Sequence, residues 1–96
     1  MTEPNPVATS VLLTNAVGLH ARPSIKFTKA AKAFSSAIEV ATDPQGPWVD
    51  AKSPVKIMRI KAPKGTTLHL RAVGEDAAPA IAALVALVER RFDEEG

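Results

Sequence analysis

The chain has no cysteine, and its aromatic bulk is limited to three phenylalanines and one tryptophan among 96 residues. Without thiols, neither a disulfide nor a thiolate-held metal is open to it. With so few rings, alanine, valine, leucine and isoleucine must fill the interior, and an apolar share of 46% is enough for one small core. A second domain has no room in this length. Long hydrophobic runs are missing as well. The longest apolar stretch near the C-terminus, Ala77 to Val88, is too short to span a bilayer and is interrupted by Pro79. Met1 to Ala8 contains Pro4 and Pro6 and lacks the basic start and apolar run of a secretion signal. These absences lead to the expectation of a cytoplasmic single domain over residues 9–92. A flexible segment over 1–8 would precede it, and a fraying acidic tail over 93–96 would follow. No internal repeat is visible.

Acidic residues are scarce in the middle of the chain, which the net charge of +2 conceals. Between Arg22 and Lys64 stand nine cations (Arg22, Lys26, Lys29, Lys32, Lys52, Lys56, Arg59, Lys61 and Lys64) against Glu39, Asp43 and Asp50 alone. Lysines on exposed helix faces are commonly just solvated. Concentrated in one half of a small domain, they also favour an acidic protein partner, whose approach they would steer. Nucleic acid fits less well, because few aromatic residues stand among the lysines for bases to stack on.

The chemistry centres on Gly18-Leu19-His20-Ala21-Arg22-Pro23. Val11 to Asn15 has a strand's composition, and Ser24 to Phe34 reads as a helix with Ile25, Phe27, Ala31 and Phe34 toward a core. Gly18 allows a sharp turn out of the strand, and Pro23 suits the first helical position. Helix N-termini offer N–H donors and partial positive charge to anions. Arginine adds a planar fork that matches phosphate oxygens. Neutral imidazole is a nucleophile, and it is available near pH 7. A lone histidine in a small domain is more often structural, but here each neighbouring residue answers a separate requirement of anion capture.

The other elements follow coarsely. Ala37 to Thr42 alternates as a half-buried strand, residues 43–47 are dense in turn formers, and Trp48 to Ala51 suits a short return strand. Ser53 and Pro54 make an N-cap and first-position pair for a helix through Ile60. Thr66 to Val73 alternates again, with Leu68, Leu70 and Ala72 on one side and His69 on the other. Glu75 and Asp76 precede a helix ending near Phe92, whose Ile81, Leu84, Val85 and Val88 should face a sheet. This order, β-α-β-β-α-β-α, is satisfied by an α+β open-faced sandwich: a four-stranded antiparallel sheet with three helices on one face.

Gly18 to Pro23 resembles the active-site signature of the HPr family, the histidine-containing phosphocarriers of the bacterial phosphotransferase system. Ala51-Lys52-Ser53 resembles the family's second signature, Gly65-Thr66-Thr67-Leu68 its entry to the fourth strand, and Gly74-Glu75-Asp76-Ala77 the turn before its last helix. The similarity runs from about Ala8 to Phe92. It implies the same fold and a monomeric carrier that completes no turnover of its own and uses no cofactor or metal. It implies that His20 takes a phosphoryl group from enzyme I and gives it to a histidine of an enzyme IIA domain. Ala21, Arg22 and Pro23 would shape the phosphate site, with Arg22 sharing the catalytic work. Lys26, Lys29, Pro54, Val55, Lys56, Met58 and Arg59 would form the partner surface, with one of Val55 and Met58 packed in the core. Ser53 matches a serine that an HPr kinase/phosphorylase modifies in some relatives; Pro54 and Val55 depart from what that family commonly has there, and the cap role alone accounts for the serine. Two other readings stand beside the carrier: a regulatory module whose affinities change with His20 phosphorylation, and a metabolic enzyme, which the absence of a further acid-base group disfavours. Sugar uptake, nitrogen-linked regulation and dihydroxyacetone phosphorylation all use carriers of this kind.

Overall fold

A computed structural model describes residues 6–93. The strands are β1 (Val7–Leu12), β2 (Ala37–Ala41), β3 (Val49–Asp50) and β4 (Thr67–Val73), and the helices are α1 (Ala21–Lys32), α2 (Pro54–Ile60) and α3 (Ala77–Glu89). They form one antiparallel sheet in the order β1-β4-β2-β3. The helices cover one face, giving the expected open-faced sandwich. Among the described residues, no helix is long and apolar enough to cross a membrane.

Alternation on β4 sets the sheet's two faces. Leu68, Leu70 and Ala72 point into the core, paired with Val11, Thr9 and Val7 of β1 on one side; Leu70 and Ala72 also face Val40 and Ile38 of β2. Beneath them lie Phe27 and Ala31 from α1, Ile57 from α2, and Ala80, Ile81, Leu84 and Val88 from α3. Ile25, expected in this core, is 49% exposed. Two positions along a helix rotate a side chain by about 200°, so Ile25 and Phe27 cannot share a face. The core side of α1 is instead completed by Ser24 and Thr28.

Several boundaries differ from the sequence reading. Strand β1 starts at Val7, so Val7 and Ala8 are paired residues and not part of a flexible segment; it ends at Leu12, leaving Thr14 and Asn15 to a turn. Helix α1 stops at Lys32 and α3 at Glu89, short of Phe34 and Phe92. After α3 the chain makes a left-handed turn through Arg91, Phe92 and Asp93, all near φ 57°. That turn drives Phe92 fully into the core, and Lys26 Nζ donates to its carbonyl at 2.8 Å. Asp93 belongs to that turn and accepts from Arg90 Nε at 2.9 Å. The rest of the proposed tail and residues 1–5 lie outside the described residues.

Two polar devices fix the edges of this frame. At the start of α3, Asp76 accepts from the backbone N–H groups of Ser35 and Ser36 at 2.9 Å each, and from both hydroxyls. The Ser36 hydroxyl, then the Ser35 amide, hold its carboxyl down at about 2. Asp76 therefore stands at the cap position yet fastens the α1–β2 turn, in place of capping its own helix. On the open face of the sheet, Arg71 Nε donates to Glu39 at 2.8 Å, and its guanidinium lies 4.0 Å from the centre of the Trp48 ring. Trp48 thus covers part of the face that the helices leave open.

Candidate functional site

The hexapeptide is held from both of its sides. Asn15 is buried, its Nδ2 donates to the Gly18 carbonyl at 2.8 Å, and its own carbonyl accepts from Gly18 N–H at 3.2 Å. Gly18 sits at φ 61°, where a Cβ would collide with the Ala62–Pro63 backbone. Leu19 N–H donates to the Ala62 carbonyl at 2.8 Å, while the Leu19 side chain is buried. Ser24 Oγ donates back to the Leu19 carbonyl at 3.1 Å. Gly18 and Leu19, the two residues before the histidine, are therefore held by hydrogen bonds.

His20 itself is exposed. It occupies the N-cap position of α1 in an extended conformation (φ −79°, ψ −175°), and its imidazole makes no capping hydrogen bond. Its carbonyl accepts from Ser24 N–H at 2.9 Å, which begins the helix. Pro23 is the third helical residue and not the first, because the helix already starts at Ala21. The proline still costs no hydrogen bond there, since first-turn N–H groups have no partner within the helix. The amides ahead of it, at the mouth of the helix, belong to Ala21 and Arg22, both exposed. An open cleft of about 390 Å³ lies beside the imidazole, lined by Val17, Leu19, Ala21, Met58, Lys61, Ala62 and Pro63. The arrangement offers a nucleophilic ring, helix-end amides and a guanidinium two residues on. Helix-end amides and guanidinium groups are both donors suited to phosphate oxygens. Among the described residues, no group of three or more His, Cys, Asp or Glu side chains offers a metal site.

The expected partner residues divide. Lys29, Val55, Lys56 and Arg59 are exposed, and Pro54 and Met58 are half-buried. Val55 is 52% exposed, so neither it nor Met58 is a core residue; the buried side chain of α2 is Ile57. Lys26 is half-buried and tied to Phe92. Ser53 caps α2, its Oγ accepting from Lys56 N–H at 3.4 Å. Asn15, Lys61 and Ala62 were not singled out as site residues from sequence. Asn15 followed three residues later by Gly18 is a turn signal that would have found the first. Nothing local marks the other two, which reach the site only through the fold.

Fold and site together describe a small sandwich that presents an exposed histidine at a helix N-terminus. A family model described as the phosphorylation site of the phosphotransferase-system HPr component matches residues 7–90. The chain is 40% identical over 87 residues to phosphocarrier protein HPr of Pseudomonas aeruginosa, covering 91% of this chain and 96% of that one. Over 71 residues it is 45% identical to HPr of Haemophilus influenzae, covering 74% and 81%. The crystal structure of HPr from Thermoanaerobacter tengcongensis superposes with a TM-score of 0.85 at 39% identity, covering 94% of this chain and 99% of that one. The chain belongs to the HPr family of phosphocarriers.

Proposed function

We propose that His20 accepts a phosphoryl group from phospho-enzyme I and passes it to a histidine of an enzyme IIA domain, in the cytoplasm and as a monomer. The observation that carries this reading is His20 itself: an exposed imidazole, free of any capping bond, at the mouth of a helix in an HPr-family chain. In each transfer, the lone pair of His20 Nδ1 forms a bond to phosphorus. The donor's N–P bond breaks, and its electron pair returns to the donor nitrogen. Delivery to enzyme IIA repeats the exchange with His20 as the leaving group. Phosphoryl transfer asks mainly for positioning and charge stabilisation. The turn around Asn15 and Gly18 supplies the first. Arg22 and the helix-end amides supply the second.

Partner choice rests on the surface beside the ring. Val55 and Met58 give it an apolar centre, and Lys29, Lys56 and Arg59 give it a basic rim suited to acidic partners that bind briefly. Because Lys26 is tied to Phe92, its role there is secondary. Ser53 is the second modification point of this reading, with phosphate on its Oγ facing the first-turn N–H groups of α2 and adding negative charge to that basic rim.

Labelling with phosphoenolpyruvate and enzyme I tests the proposal. An acid-labile, base-stable phosphate should appear on the chain, vanish in His20→Ala, and form about tenfold to hundredfold more slowly in Arg22→Ala, the worth of one charge-assisted contact. Label persisting in His20→Ala would refute the assignment.

A further inference from the structure

The cleft beside His20 carries a cation that the His-x-Arg motif does not supply. Lys61 closes α2 in the left-handed region, at φ 53° and ψ 39°, with its N–H donating to the Met58 carbonyl. Helices that end this way commonly do so on glycine, because a Cβ crowds the adjacent carbonyl in that conformation. A lysine there runs against the backbone's preference. Residues held in disfavoured conformations cluster where their side chains have work to perform. The next residue fixes the neighbourhood: the Ala62 carbonyl receives Leu19 N–H, so Lys61 stands one peptide bond from the histidine loop. Lys61 and His20 line the same cleft, with Val17, Met58 and Pro63 as its apolar wall. Lys61 is exposed, and among the described residues no carboxylate forms an ion pair with it.

We propose that Lys61 binds the oxygens of a phosphoryl group on His20, adding its charge to that of Arg22. The inference rests on the phosphoryl-accepting role of His20. An ammonium about 5 Å from a phosphate, in a cleft open to water, favours the dianion over the monoanion by about half a pH unit.

The full chain is labelled at His20 with phosphoramidate, a small donor that needs no protein partner. The imidazole nitrogen forms the new N–P bond, and the reagent's own P–N bond breaks with its electron pair leaving on ammonia. Phosphorus NMR then follows the titration of the bound phosphoryl group in the wild type, Lys61→Gly, Lys61→Gln and Lys61→Arg. The midpoint should rise by about half a unit in the glycine and glutamine variants and stay close to wild type in the arginine variant. Lys61→Gly should at the same time melt a few degrees higher, since glycine suits the cap. A purely structural lysine would not raise the midpoint in both the glycine and the glutamine variant. Normal labelling with an unchanged midpoint in both overturns the proposal alone, and leaves Lys61 as a steering charge. No label on His20, with His20→Ala as control, overturns the phosphoryl reading and this inference with it.

Discussion

Replacing Gly18 by alanine should damage the fold and the site together, by an amount the geometry allows to be divided. The first part is conformational: at φ 61° a side chain costs roughly 1–2 kcal/mol relative to glycine. The second is spatial. A Cβ at Gly18 would overlap the Ala62 carbonyl oxygen and lie 2.8 Å from the Pro63 carbonyl carbon, both of them backbone atoms that cannot rotate away. Overpacking of this kind costs about 1–3 kcal/mol. Together the two reach about 2–5 kcal/mol, against a total stability of roughly 5–14 kcal/mol for a domain of this size. Gly65 provides the control. It also has positive φ, at 93°, but open space where its Cβ would stand. Gly65→Ala should therefore lose only the conformational part. Urea and thermal denaturation followed by circular dichroism measure both variants, and Gly18→Ala should melt about 10–25 °C below wild type. Because the overlap pushes on the Leu19–Ala62 hydrogen bond next to His20, labelling of His20 should fall by more than the unfolded fraction explains. Equal stability of the two alanine variants, within about 0.5 kcal/mol, would refute the close-approach argument.

Two further outcomes test the frame. The Asp76 carboxyl is held at about 2, below its ordinary value of 3.8, by the Ser36 hydroxyl and Ser35 amide. Its contribution is thus fully present above pH 4 and is lost as pH falls toward 2. The urea midpoint of the wild type should drop across that window, and Asp76→Asn should start lower at pH 6 and drop less. Arg71→Ala should uncover the ring of Trp48, the chain's single tryptophan, and move its fluorescence emission to the red, with a stability loss of about 0.5–1 kcal/mol. An unmoved emission spectrum would mean that the stack does not persist in solution.

Much of the candidate site is legible in the sequence because its parts are contiguous. The histidine, arginine and proline fall within four residues, and Ser53 with Pro54 announces a helix start in two. The β4 pattern was equally plain, since Leu68, Leu70 and Ala72 alternate with polar residues. Strand β1 was not. Val7 to Ser10 is mostly small or hydroxylated, and only its pairing with β4 makes it a strand. Ile25 misled because it is apolar and helical, yet lies opposite Phe27. The inward turn of Phe92 needs three successive left-handed residues, none of them glycine, and no composition signals that. The loop that completes the cleft, Lys61 to Pro63, lies some forty residues from His20 along the chain, beyond any local pattern.

That separation has a consequence for how the protein comes into being. Leu13 and Leu19 donate to the carbonyls of Thr66 and Ala62, and Leu13 accepts from Gly65. A ribosome that has released the chain only through α2 has exposed the histidine, the arginine and the whole of α1, but not the segment that clasps the turn before them. The reactive ring of a half-made chain is therefore chemically intact and geometrically unset. The setting of that ring therefore arrives with the segment from Ala62 to Thr66, and not with the helix that carries the histidine.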